Sequence, residues 1–138
     1  MECKNQFVVP FGDTDAAQIV YYPNYYRYMD QATHDMFKQN DLSLKTLQNE
    51  KQIIIPLLEA TCKFKTSLQH EDIVTVHSMI ERVEGKVFHI RHEFKKEGDV
   101  LVAIGQEVRA WVSIAQASPK AIEIPEMIKR KMKGMDEK

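Results

Sequence analysis

No stretch of this chain of 138 residues stays apolar long enough to span a bilayer, and its first residues, MECKNQFVVPFGD, lack a secretory pattern. A cytoplasmic location without membrane association is expected. Only two cysteines are present, Cys3 and Cys62, with neither a disulfide framework nor paired metal spacing. Both read as structural. An excess of either charge is also missing: 19 basic and 20 acidic residues give a formal net charge of -1, which excludes global attraction to nucleic acid or to an anionic membrane. Any anionic ligand must be held locally. Without a repeat, a low-complexity tract or a linker, residues 1–138 read as a single domain, a size that buries about two-thirds of the unfolded chain's surface.

What is present begins with one helix followed by strands. Between Asn24 and Asn40, Tyr25, Tyr28, Met29, Ala32, Met36 and Phe37 recur at helical spacing, and Pro23 is a favourable first-turn residue. The period then drops to two over residues 58–68, with Leu58, Ala60, Cys62, Phe64, Thr66 and Leu68 on the apolar face. Strand patterns follow at 73–83, 86–96 and 100–115, joined by Glu84-Gly85 and Glu97-Gly98-Asp99 turns. Phe7-Val8-Val9 ends a first strand that must join the same sheet. A short helix is expected from about Pro125 to Lys133, and the tail from Lys131 is expected to fray. Since Met79, Val83, Leu101 and Trp111 fall on faces that one helix cannot cover, self-association is expected.

Chemistry concentrates in residues 11–28, FGDTDAAQIVYYPNYYRY, where two carboxylates precede a helix start. The free N–H groups and positive macrodipole of such a start stabilise anions and polarised carbonyls. Asp15 beside it, taken alone, reads as a turn or cap aspartate, although its place also suits attack on an acyl group; Asp13 reads as a turn residue bonded to its own backbone. His77, His89 and His92 make a poor metal site, because strand residues three apart face opposite ways; no metal is expected. The tyrosines of this stretch read as packing and pocket walls, since no basic groove accompanies them for nucleic acid.

The run FGDTDAAQIVYYPNYYRYMDQA resembles the signature of the hotdog-fold thioesterases of the 4-hydroxybenzoyl-CoA thioesterase family, in which Asp-x-Asp precedes an aromatic-Pro-Asn-Tyr helix start. Weaker similarity continues through Pro56, Glu71-Asp72, the Lys86–His92 strand and the closing KAIEIP. The resemblance implies an α+β hotdog fold, a five-stranded antiparallel sheet wrapped around one long central helix. It further implies a homodimer, as a dimer of dimers, that cleaves CoA thioesters at the dimer interface with no cofactor.

By this resemblance Asp15 is the catalytic carboxylate, as nucleophile or general base, and the Tyr22 backbone N–H polarises the thioester carbonyl. Asp30 matches a position that contacts the ring hydroxyl of a hydroxyaryl substrate; read alone, it is a helix aspartate pairing with Arg27 or His34. Asn24, Tyr25 and Thr61 match pocket positions, and Lys86 and Lys120 match basic positions that grip CoA phosphates. Two departures stand out: Glu84-Gly85 where the family is more basic, and Gln18 where it commonly has Gly. The implied activity is hydrolysis of a hydroxyaryl-CoA. The alternatives are a short-chain aliphatic acyl-CoA or acyl-carrier-protein thioesterase, and a non-catalytic acyl-CoA-binding module.

Overall fold

The computed structural model describes residues 1–135. In chain order its elements are β1 (Glu2–Val8), α1 (Asn24–Gln39), α2 (Leu44–Thr46), β2 (Ile53–Ile54), β3 (Leu57–Phe64), β4 (Ile73–Glu84), β5 (Val87–Lys96), β6 (Val100–Ala110), β7 (Val112–Ser113), β8 (Lys120–Ala121) and α3 (Glu126–Met132). The long strands form one antiparallel sheet, β1-β4-β5-β6-β3, and β2-β7-β8 form a second, smaller one. Gly85 (φ 62°) and Gly98 (φ 82°) close the β4–β5 and β5–β6 hairpins in the left-handed region, where a Cβ would be strained.

Helix α1 lays Tyr25, Met29, Ala32, Met36 and Phe37 on the inner face of the large sheet. Gly105 on β6 permits that approach, since a Cβ there would lie 2.6 Å from Met29 Sδ. Pro23 sits one place earlier than expected, as the N-cap. At the other end Asp41 takes a left-handed conformation (φ 62°) and Leu42 N–H donates back to Phe37 O at 2.8 Å, which stops the helix. The core divides along α1: Val20, Tyr25, Met29, Leu68 and Phe94 cluster near its start, Phe37, Phe88, Trp111, Ile124 and Met132 near its end.

Four expectations are corrected. Strand β3 ends at Phe64, with Leu58 and Phe64 exposed on the sheet edge; Leu68 is buried in the return loop, where its carbonyl accepts from Val20 N–H. The strand expected over 100–115 breaks at Trp111, whose N–H donates to Lys86 O and whose carbonyl accepts from Ile122 N–H, and the chain there crosses into the small sheet. Trp111 and Val83 are therefore packed by this chain's own C-terminal layer, and need no second copy to cover them. Nor is the tail frayed at Met132: its side chain is buried and its carbonyl accepts from the amino terminus at 2.8 Å. The remainder of that expectation, from residue 136, lies outside the described residues.

Candidate active site

The loop before α1 is a small hairpin. Thr14 bridges Val20, Asp15 N–H donates to Ile19 O (3.0 Å), and Gln18 N–H donates to Asp15 O (2.8 Å). A tight turn followed by a left-handed residue is the three-residue hairpin connection, and Gln18 occupies the left-handed place at φ 68°. That explains why glycine suits this position: only the backbone angle demands it, and the Gln18 side chain is exposed.

The Asp13 carboxylate does not bond its own backbone as expected, and the turn contact falls to Asp15. Asp15 makes the turn contact, its Oδ1 accepting from Ala17 N–H at 2.9 Å, while Oδ2 has no hydrogen-bond partner among the described residues. Asp13 instead ties the loop to α1: its carboxylate accepts from the Tyr28 hydroxyl (2.6 Å) and the Arg27 guanidinium (2.9 Å), and its carbonyl accepts from Tyr21 N–H and Asn24 Nδ2. Burial and the Asp13 hydrogen bond push the Tyr28 phenol well above its ordinary range, so it stays a donor. The helix brings both groups to Asp13 at successive positions, which an isolated turn could not do.

Fewer free donors remain at the helix start than its dipole alone suggests. Asn24, Tyr25 and Tyr26 N–H groups donate to the carbonyls of Tyr21, Tyr22 and Pro23 at 2.9–3.1 Å, and Pro23 has no N–H. Tyr22 N–H is left without a partner among the described residues. Beside it, Ile19, Val20, Tyr22, Tyr25, Phe64 and Leu68 line a cleft of about 240 Å³ between the loop and the β3 edge. Tyr25 is buried against Phe64 and Phe94, and burial pushes its phenol up to about 12. Its ring forms cleft wall, whereas Asn24 is used up in bracing the loop, accepting also from Arg27.

Six residues along α1, about 9 Å further, stands Asp30. Of the two partners expected, Arg27 pairs with Asp13 instead, while His34 Nδ1 lies 3.9 Å from Asp30 Oδ1 and 2.9 Å from the Asp30 carbonyl; the short contact is an unexpected one, Oδ1 accepting from Arg109 Nη2 at 2.8 Å. Arg109 belongs to a buried cluster. It donates from Nε to Glu107 Oε1 (3.1 Å), from Nη2 to Glu107 Oε2 (3.2 Å) and from Nη1 to Ile55 O (2.9 Å). Thr33 Oγ1 donates to Glu107 Oε1 (2.6 Å) and lies 3.3 Å from His92 Nε2, while Ser78 Oγ lies 2.7 Å from His92 Nδ1. Thr33 has one hydroxyl hydrogen, so His92 satisfies this arrangement with its proton on Nε2. Burial would raise the Glu107 carboxyl, but hydrogen bonds from His92 and Arg109 overcome it and hold the group at about 2. The cluster was legible only as two charges, Glu107 and Arg109, in phase with Ala103 and Gly105 on a core-facing strand side.

The other expected residues lie apart. Thr61 faces outward from β3, where Glu59, Arg82, His89 and Gln106 share with it an open concavity of about 470 Å³. It does not face the Asp15 cleft within this chain, because alternation sends it opposite to Cys62. Lys86 and Lys120 are exposed near the Trp111–Ile124 cluster, at the far end of α1 from Asp15. His89 and His92 do lie on opposite faces, His89 beside Arg82 and His92 in the core. Among the described residues no group of three His, Cys, Asp or Glu side chains could hold a metal ion, and no helix is long and apolar enough to cross a membrane.

An exposed carboxylate and a spare N–H stand together at a helix start, on an antiparallel sheet with one main helix, and residues 9–132 match the Thioesterase-like superfamily. The chain belongs to that superfamily and is a thioester hydrolase. Among curated relatives, it is 29% identical over 123 residues to the 4-hydroxybenzoyl-CoA thioesterase of Pseudomonas sp. (strain CBS-3), covering 85% of this chain and 87% of that one. It is 32% identical over 101 residues to the 1,4-dihydroxy-2-naphthoyl-CoA hydrolase of Thermosynechococcus vestitus (strain NIES-2133 / IAM M-273 / BP-1), covering 73% and 69%. Among solved structures, a gentisyl-coenzyme A thioesterase superposes with a TM-score of 0.80 at 37% identity, over 95% of this chain and 99% of that one.

Proposed function

We propose that this protein hydrolyses aryl-CoA thioesters, with a hydroxylated aromatic acid as the acyl group. The observation that carries the reading is the Asp15 carboxylate, exposed and with Oδ2 unpaired beside the open Tyr22 N–H, in a chain whose relatives bear the names of hydroxyaryl-CoA hydrolases. An Asp15 oxygen attacks the thioester carbon, the carbon–sulfur bond breaks, and CoA leaves as the thiolate. Water then hydrolyses the mixed anhydride, releasing the acid and restoring the carboxylate. Tyr22 N–H receives the negative charge that builds on the carbonyl oxygen during attack, a contact worth about 3 to 4 kcal/mol of barrier. Asp30 accepts a hydrogen bond from the hydroxyl at the distal end of the acyl group. The reading also includes assembly: Leu57, Leu58, Phe64, Tyr21 and Tyr22 leave the β3 edge apolar and open, a surface suited to pairing with a second copy. Lys86 and Lys120, remote from Asp15 in one chain, then serve a CoA bound across the pair.

The test is turnover of wild type and Asp15→Asn on 4-hydroxybenzoyl-CoA, benzoyl-CoA and a short aliphatic acyl-CoA. Wild-type preference for the aryl thioesters, lost in the variant, supports the reading. Preference for the aliphatic thioester, or equal rates in both proteins, rejects it. Hydroxylamine quenching of a single turnover separates the two roles of Asp15, since only a nucleophile leaves a mass shift on its peptide.

A further inference from the structure

The buried cluster around Arg109 has no part in the chemistry above, yet it ends on Asp30. We propose that Arg109, anchored by Glu107, is a positioning residue that fixes Asp30 as an acceptor for a neutral hydroxyl on the acyl group and against acyl groups carrying their own negative charge. This deepens the hydroxyaryl reading and rests on it.

Asp30 alone would be a poor reader of substrate. Its side chain is 57% exposed on a helix surface, free to change rotamer and to bond water. Arg109 removes that freedom. The guanidinium engages four of its roughly five N–H donors, to both Glu107 oxygens, Ile55 O and Asp30 Oδ1, so it cannot swing away. With Oδ1 clamped at 2.8 Å, Asp30 Oδ2 has no hydrogen-bond partner among the described residues. A groove of about 240 Å³ lined by His34, Leu44, Gln48, Ile53–Pro56 and Arg109 itself opens beside the clamp. Such a carboxylate is preorganised: the ordering that a flexible one would undergo on binding has occurred in the fold.

Glu107 decides the sign of the site. Were Arg109 paired with Asp30 alone, their charges would cancel and the pair could welcome an anion. Glu107 already offsets the guanidinium, so Asp30, Arg109 and Glu107 together carry one net negative charge. His34, at 3.9 Å from Asp30, is the other titratable group facing it. A neutral phenol can donate to Oδ2; a phenolate or carboxylate meets repulsion.

The experiment measures kcat and KM of wild type, Arg109→Lys, Arg109→Gln, Asp30→Asn and the Asp30→Asn/Arg109→Gln double variant on 4-hydroxybenzoyl-, benzoyl- and 4-carboxybenzoyl-CoA. Circular dichroism screens each for folding, and Arg109→Lys carries the test where Arg109→Gln does not fold. In wild type the hydroxyl substrate is favoured by about tenfold or more over both others. Each Arg109 variant lowers the hydroxy-to-benzoyl ratio of kcat/KM by about tenfold, mostly through KM, and the double variant falls no further than Asp30→Asn. Folded Arg109 variants with an unchanged ratio, multiplying effects in the double variant, or equal hydrolysis of the carboxyl substrate overturn the clamp. A wild type that hydrolyses every thioester alike overturns it while leaving the hydrolase reading intact. A wild type inactive on all three sinks both.

Discussion

Two acidic regions lie along the same helix and are built in opposite ways. At the start of α1, Asp15 is exposed and one of its oxygens has no hydrogen-bond partner among the described residues; at its middle, Glu107 is buried and both of its oxygens are hydrogen-bonded. A search for a perturbed acid would select Glu107, held at about 2, yet its side chain is buried. A shifted pKa with complete bonding and no access marks a brace. An accessible carboxylate with bonding capacity to spare is what the proposed attack on a thioester needs.

Substitutions can break that contrast, and the largest effect is expected where bonding is least complete. Asp15→Asn preserves the turn contact with Ala17 N–H but removes the anionic oxygen, so kcat falls by about 10²- to 10⁴-fold in steady-state assays while the melting curve stays in place. Glu107→Gln reverses the pattern. It leaves the buried guanidinium of Arg109 with only the half-exposed Asp30 as counter-charge and costs about 3 kcal/mol in urea unfolding, the lower end of the cost of breaking a buried pair. The wild type carries the matching pH signature. Its Glu107 carboxyl is lower folded, at about 2, than unfolded, at about 4.3, so the unfolded chain binds more protons between those values. Stability from this group is complete above about pH 5 and is lost as pH falls through 4.3 toward 2, by about 3 kcal/mol. An acid limb shallower in Glu107→Gln than in wild type checks the assignment, since Glu2 and Glu123, also lowered by their partners, keep their own contributions in both.

Smaller effects sharpen the contrast within the loop itself. Asp13→Ala strips the acceptor from Tyr28 and Arg27 and lowers stability by about 1–3 kcal/mol, with a smaller loss of kcat than Asp15→Asn; a reversed order of kcat losses would exchange their roles. Gln18→Gly relieves a left-handed side chain and raises the unfolding free energy by about 1 kcal/mol, although it removes more atoms than it adds. Tyr22→Phe leaves the backbone N–H where it is, and kcat is expected within about twofold of wild type. A tenfold loss there would move the stabilising group from the backbone to the phenol.

Much of this arrangement is legible in the chain because it depends on near neighbours. The stripe from Tyr25 to Phe37 dictates α1, alternation dictates the long strands, and Gly85 and Gly98 mark their turns. The Asp-x-Asp before Pro23 points to the site in the same way. Where expectation and structure part, the cause is context beyond a few residues. Alternation continues past Phe64 and through Trp111, but packing ends one strand and redirects the other. The dipole of α1 suggests several free donors, but among the described residues local carbonyls accept from the Asn24, Tyr25 and Tyr26 N–H groups and leave Tyr22 N–H without a partner.

The amino-acid sequence by itself determined the periods, the turns and the presence of a carboxylate at a helix start, since these follow from steric and hydrogen-bonding preferences of adjacent residues. Only the tertiary structure decided what each acid does. Asp13 meets the Tyr28 hydroxyl across 15 positions, and Asp30 meets Arg109 across 79. A hydrogen bond depends on separation in space, and no periodicity along a chain encodes which distant donor the fold will bring within 3 Å.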